Sequence, residues 1–344
     1  YNIHGGFFAV LRQGAPRLKL GIRVEGAGDP LEYEFAITEV GGGAVVESES
    51  LNAWIDGNQI AVISRPRIGQ KVILAEGAGY HDLNIAAEQL ALSAFGVKPP
   101  HPALSRIVQA LSTIDVQPSF HVAARWVARE QRMLTPLREP QLFERATRLA
   151  RGGANLANAF AELKNSVAPR EWDETMDYVR LGLGADVESI ITRAEQGGGN
   201  IGLHLKYASL EREVPAISLS DGTLAYLALV ALLRLKTPRA LLTFDEPDLH
   251  FHPFLVARLA NFCEMMARRH SVLVVTHSDH LLDCLSDPAG SVVLCELDER
   301  TRSTRLVRPD PEALEAWLRD YRGLGDLRGA GHQASVMTRP ESES

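Results

Sequence analysis

Apolar and polar positions alternate along the first eighty residues. Leu18, Leu20, Ile22 and Val24 share one face of an extended segment, and Tyr33, Phe35 and Ile37 repeat the spacing. Gly41-Gly42-Gly43 and Asp56-Gly57-Asn58 interrupt the pattern, and further strands are expected over 44–51, 59–64 and 71–76. A period of two broken by glycine turns predicts an antiparallel meander. From about His81 to Arg193 the spacing becomes helical. It predicts amphipathic helices over 83–95, 103–111, 122–133, 140–150 and 155–164, separated by Pro99-Pro100, Pro136 and Gly152-Gly153. Two short strands, 187–193 and 201–207, flank the turn at 195–200.

After Pro215 the pattern changes again. Ser220 precedes an almost wholly apolar helix over 224–235. Strand 240–244, helix 254–269, strand 271–276, helix 280–285, strand 291–296 and helix 311–321 follow in turn. Continuous apolar strands alternating with helices predict a parallel sheet covered on both faces. The expected fold class is therefore α/β, with an antiparallel lobe over residues 1–80, a helical insert over 81–215, a second α/β half over 216–330 and a disordered tail over 331–344.

Composition narrows the class without choosing a function. The 344 residues hold 45% apolar and 23% charged side chains, ordinary for a globular chain with a sizeable core. A net charge of −7 argues against a uniformly basic nucleic-acid coat. One local exception is Ala123–Gly153, where Arg125, Arg129, Arg132, Arg138, Arg145, Arg148 and Arg151 face only Glu130, Glu139 and Glu144. That stretch reads either as a solvated helical face or as a DNA-binding patch. Cys263, Cys284 and Cys295 form no CxxC, and the longest apolar run, 224–233, is about half a bilayer span. A cytoplasmic protein without membrane segments is expected.

Ligands of parallel α/β sheets gather at the carboxyl ends of the strands. Asp245 and Glu246 end one expected strand and His277 follows another, with a single helix between them. The two strands should be neighbours, which brings an acidic pair and an imidazole to one edge. Ser220-Asp221-Gly222 adds an N-cap, a first-turn carboxylate and a glycine at a helix start suited to phosphate. A rival grouping, Asp245 with His250, His252, His277 and His280, has metal-ligand residue types and would make a metal-dependent hydrolase.

The order LSDGT (219–223), DEPDLHFHP (245–253) and Thr276-His277-Ser278 resembles the ABC-type ATPase heads, the group containing the SMC and RecF proteins. More narrowly it resembles bacterial AAA family ATPases with an LSDGT signature and a DEP-x-x-x-x-HP run. The stretches 152–164 and 309–327 share that likeness. The resemblance implies a P-loop NTPase that uses ATP and Mg²⁺ as a homodimer. Asp245 would hold Mg²⁺ through water, Glu246 would act as general base, and His277 would meet the γ-phosphate. Ser220, Asp221 and Gly222 would reach a nucleotide on the second subunit, and Asp248, Leu249 and His250 would cross the interface.

The chain departs from this pattern at Asp221, where transporter heads carry glycine. It also contains no GxxxxGK[ST] phosphate loop; Gly69-Gln70-Lys71 is the nearest approach. The expectation is that this loop lies upstream of Tyr1. The alternative is a non-hydrolysing scaffold that grips DNA or protein through the Arg-rich insert. DNA maintenance and defence both suit the class, and any nuclease would be a separate partner protein.

Overall fold

The computed structural model describes residues 15–26, 28–55, 57–68, 72–76, 79–95, 101–120, 122, 136–194, 198–298 and 300–337. Residues 123–133 of the expected helix at 122–133, and Gly69-Gln70-Lys71, therefore lie outside the described residues. The chain divides into two compact units, Tyr1–Ile114 and Asp115–Ser344.

The first unit is a six-stranded antiparallel sheet in sequential order: β1 (Arg17–Val24), β2 (Leu31–Val40), β3 (Gly43–Ile55), β4 (Asn58–Arg65), β5 (Val72–Glu76) and β6 (Gly79–Leu83). Alternation puts Leu31, Tyr33, Leu51, Ala53 and Ile63 on its buried face. Helix α1 (Pro102–Ser112) adds Leu104 and Ile107 to the same core. The helix expected over 83–95 does not form. Leu83 ends β6, and only a short 3-10 turn, Ala91–Ala94, appears. The cause is a pair of buried charges on β3 and β4. The Glu49 carboxylate accepts hydrogen bonds from Ala91 N at 2.6 Å, Leu92 N at 3.0 Å and Tyr33 Oη at 2.8 Å. Arg65 donates to Gln89 O at 2.8 Å and Ala86 O at 3.2 Å. These bonds satisfy the backbone in a turn and a short 3-10 path and outweigh the α-helical spacing.

The second unit is mixed α/β. A three-stranded sheet runs β13 (Ser271–Val275), β12 (Leu241–Asp245), β7 (Ile114–Gln117), with β12 and β13 parallel. An antiparallel sheet is built on β10 (Asn200–Tyr207), which pairs with β9 (Val187–Ala194), β8 (Gln141–Leu142) and β11 (Val214–Pro215). Helices α2 (Leu156–Ser166), α3 (Pro169–Leu183), α4 (Asp221–Arg234) and α5 (Pro253–Ala267) pack with them around one core. Leu224 through Ala231 of α4 are all fully buried, which explains why this helix is apolar on every side.

Several expectations are corrected here. The stretch 140–150 is β8 followed by irregular backbone, because side chains of the next helix capture its polar groups. Asn158 accepts from Glu144 N and donates to Leu142 O, both at 3.0 Å. Asn155 accepts from Ala150 N at 2.7 Å and donates to Arg148 O at 3.0 Å, so it is not the simple helix cap its position suggests. Helix α3 was not anticipated, although Pro169 at its start and Gly184 after its end, at φ 99°, mark its limits.

The strand expected over 291–296 does not join the parallel sheet. Residues Pro288–Ser291 form a short helix, α7, and Leu294–Asp298 (β14) pairs in an antiparallel hairpin with Ser303–Val307 (β15). The parallel sheet is not covered on both faces by the described residues. Leu242 and Phe244 are buried inward, whereas Val116, Leu273 and Val275 are exposed on the other side. Residues 332–337, expected in a disordered tail, are folded: Val336 is fully buried beside Leu314 and Leu327, and Pro309 bridges Met337. Cys295 is exposed although it lies in an apolar stretch of sequence. Among the described residues, no helix is long and apolar enough to cross a membrane.

A stability test follows from the α3–α4 contact. Tyr226 is fully buried, and its hydroxyl donates to Tyr178 O at 2.7 Å. A Cβ on Gly182 would overlap its ring. Gly182→Ala gains about 1 kcal/mol of helix propensity, but overpacking costs about 1–3 kcal/mol, and the ring contact places it at the upper end. A net loss of about 2 kcal/mol is expected in the urea-unfolding midpoint.

Candidate functional site

Strands β12 and β13 pair in parallel, with Leu241 opposite Ser271 and Asp245 opposite Val275. Their carboxyl ends therefore stop level. Asp245 is exposed at the last position of β12. The next amide, Glu246 N, still donates across the ladder to Val275 O at 2.8 Å. Glu246 then turns sharply, at φ 48°, a left-handed conformation unusual for a residue with a side chain and costing about 1–3 kcal/mol. The turn leads into Pro247 and brings the Glu246 carboxylate to 3.6 Å from His277 Nε2, beyond the end of β13. The imidazole side chain is 89% exposed and the carboxylate 33%, so the pair lines an open surface.

The loop after Glu246 is bound to the same edge. Leu249 N donates to Glu246 O at 3.3 Å and Phe251 N to Asp248 O at 2.9 Å. Thr276 Oγ1 donates to Asp248 Oδ1 at 2.7 Å and accepts from Ser278 N at 3.0 Å. Thr276 and Ser278 thus tie the Asp248 loop to the His277 segment; sequence reading assigned them no part, although both flank the histidine. Leu249 is 62% exposed and Phe254 58%, an apolar pair beside the loop.

The helix start at Ser220 lies against this loop. Ser220 Oγ accepts from Thr223 N at 3.1 Å and remains exposed at the surface. A Cβ on Gly222 would stand 2.9 Å from His250 O, so glycine permits the close approach of helix and loop. Asp221 behaves differently from the other two residues of the motif. Its carboxylate is held within the same chain by Arg138, whose Nη2 donates to Asp221 Oδ1. Arg138 is buried, and it also donates to Val122 O at 2.8 Å and Leu219 O at 2.6 Å. Arg138 is a member of the Arg-rich stretch that sequence reading placed on a solvated face or a DNA patch, and it belongs to neither. Arg145 pairs with Glu162 at 3.3 Å, while Arg125, Arg129 and Arg132 lie outside the described residues.

The alternative metal grouping does not assemble. His252 Nδ1 accepts from Phe254 N at 3.3 Å and caps α5, and His280 Nε2 lies 3.1 Å from Pro253 O. Among the described residues no three His, Cys, Asp or Glu side chains group as metal ligands. Burial lowers the His250 pKa, and the nearby Asp221 charge opposes that shift without overcoming it.

Two outcomes follow. Asp221→Asn removes the charge from a partly exposed ion pair and should destabilise the second unit by about 1–2 kcal/mol, read from chemical denaturation. His250 is favoured neutral in the folded chain, as are His101 and His270, both lowered by burial. The unfolded chain then binds more protons as pH falls below about 6.5. Stability should therefore decline from pH 7 to pH 5, and His250→Gln should flatten that decline.

None of the curated proteins matches this sequence. Among solved structures, an SMC head bound to the C-winged helix domain of ScpA is similar at TM-score 0.46 and 12% identity, covering 88% of this chain and 77% of that one. The SMC head domain from Thermotoga maritima is similar at TM-score 0.33 and 11% identity, covering 82% and 74%. An Smc head domain from Pyrococcus furiosus, with an extended coiled coil and bound to the C-terminal domain of ScpA, gives TM-score 0.39 and 11% identity, covering 89% and 80%. At TM-scores below 0.5, these likenesses add no weight to the chain's own topology. The sequence profile of the family described as "AAA domain, putative AbiEii toxin, Type IV TA system" matches residues 86–283, more than half of the chain, and the chain belongs to that family.

Proposed function

We propose that this chain forms part of an ABC-type ATPase head that binds ATP with Mg²⁺ and hydrolyses it within a homodimer. The observation that carries the reading is the Glu246–His277 pair, 3.6 Å apart at the level ends of two parallel strands. In this reading Glu246 orients and polarises an attacking water and His277 contacts a γ-phosphate. Asp245 is exposed at the same strand end, which suits an ion held by one carboxylate, water and phosphate oxygens. Mg²⁺ there would supply charge neutralisation at the phosphates.

Ser220 and Gly222 form an exposed helix start suited to phosphate oxygens, and its exposure suits a nucleotide carried by the second subunit. The Asp248–His250 loop joins this helix start to the His277 segment and would carry the dimer contact, with Leu249 and Phe254 contributing apolar area. The roles of DNA and of a separate effector or nuclease belong to the same reading, as maintenance or defence functions that such a head would power.

No GxxxxGK[ST] occurs among the 344 residues, and in this reading the β-phosphate cradle would come from elsewhere in the active protein. Strand β13 has only β12 beside it among the described strands, and its outward residues Leu273 and Val275 are exposed. A further strand bearing the loop fits that edge. The missing motif also supports a second reading, a non-hydrolysing scaffold on the same fold.

One variant separates the two. In the intact protein, Glu246→Gln should retain ATP binding and accumulate as a nucleotide-bound dimer. Turnover should fall by about 10²–10⁴-fold. Light scattering with and without ATP, and phosphate release, measure both effects. Unchanged turnover would remove Glu246 from its role, and a parent protein that neither binds nor hydrolyses ATP would favour the scaffold.

A further inference from the structure

The closing stretch 309–327 stood out in the sequence without receiving a task. In the structure it carries two short helices, α8 (Pro311–Trp317) and α9 (Leu324–Gly329). Helix α9 packs on α6 (Asp279–Asp283), the segment that immediately follows His277. The approach is unusually close. A Cβ on Gly325 would overlap the Asp279 carbonyl, and one on Gly323 would stand 2.7 Å from Asp283 Cα. Gly323 is in extended backbone, so closeness rather than a special dihedral requires glycine there. Asp326 N donates to Asp283 Oδ1 at 2.8 Å and fixes the register of the two segments.

Arg328 extends from this docked helix toward the site. Its Nε donates to Asp279 Oδ1, and its Nη2 donates to His277 O at 2.8 Å. The second bond bypasses the acidic partner and reaches the histidine's own peptide. The His277 ring is 89% exposed and has little packing of its own. Its placement is inherited from the peptide, which is held by Thr276 on one side and by Arg328 on the other.

We propose that Arg328 is a positioning residue for His277, and that the glycine-dependent docking of α9 on α6 exists to hold it there. The proposal rests on the reading of His277 as a phosphate contact. Gly323 and Gly325 let α9 approach, Asp279 and Asp283 orient it, and Arg328 passes that placement to the imidazole.

The test uses full-length protein, with Arg328→Ala and Arg328→Lys compared with the parent. ATP turnover is measured across ATP concentrations, and backbone hydrogen exchange is followed over residues 276–280. For Arg328→Ala, kcat should fall about 10–100-fold from misplacement of one contact. KM should stay within about twofold, because the interaction is made mainly in the transition state. Exchange should rise over 276–280 and not across α4 or α5. Arg328→Lys should fall between the two, since ammonium can hold Asp279 but cannot fork to both acceptors. Should Arg328→Ala fail to fold, the same criteria apply to Arg328→Lys. Unchanged kcat in an active parent, or a loss of kcat matched by exchange throughout the unit, overturns the positioning role while leaving the ATPase reading intact. A parent without ATP turnover overturns that reading and this inference together.

Discussion

The parallel pairing of β12 with β13 is the constraint on which the site depends. Parallel strands joined by a helix end on the same edge, so whatever follows each strand is delivered to one place. Here the register is level, and Glu246 N extends the ladder by one bond to Val275 O. That bond forces the left-handed turn at Glu246, and the turn directs its carboxylate toward His277. A slip of one residue would send Glu246 to the opposite face, because side chains alternate along a strand. The acidic residue and the imidazole are thus neighbours through backbone geometry, without a direct hydrogen bond between their side chains.

Around this pair the second unit places rigid supports behind mobile-looking chemistry. Helix α4 is buried along its whole body, which fixes where Ser220 and Gly222 emerge. Gly222 permits contact with His250, Asp248 bonds Thr276, and Thr276 bonds Ser278. Ser220, Asp245 and His277 are exposed and Glu246 is half-buried, while neighbouring loops and strands tie the backbone that carries them. An exposed side chain on a fixed peptide is available to a ligand and already oriented, the arrangement that reduces the ordering cost of binding.

The sequence made the local periodicities and the strand ends legible. The meander, α4, β12 and β13 follow from period, caps and apolar runs, and the acidic pair and histidine follow from the strand ends. What escaped it depends on side-chain partners that the local period does not show. Glu49 and Arg65 hold 86–92 in a turn and the start of a 3-10 helix despite the α-helical spacing, and Asn155 and Asn158 hold 142–150 in irregular backbone. The Glu49 and Arg65 bonds join residues 21–43 apart, which no short window contains, whereas the asparagine bonds span only 5–16 residues and are hidden because the local period does not show which backbone groups a side chain captures. The hairpin of β14 and β15 was hidden for another reason: an apolar strand reads alike in a parallel sheet and in a half-exposed hairpin, and Leu297 and Leu306 are in fact exposed.

Asp221 shows most clearly how tertiary structure reassigns a motif residue. By position it belongs to a helix start suited to phosphate, yet a carboxylate there would repel an approaching anion. The buried Arg138 guanidinium, 83 residues earlier, meets that carboxylate and also bonds the carbonyls of Val122 and Leu219. The pair leaves the helix start near neutral, with the Ser220 hydroxyl and the helix N–H groups as its remaining polar character. The local electrostatics of glycine in transporter heads are approached by a different route, with an ion pair that also fastens the helix start to the insert. An arginine that the charge pattern assigns to a basic surface instead pairs with a carboxylate at the start of a buried helix.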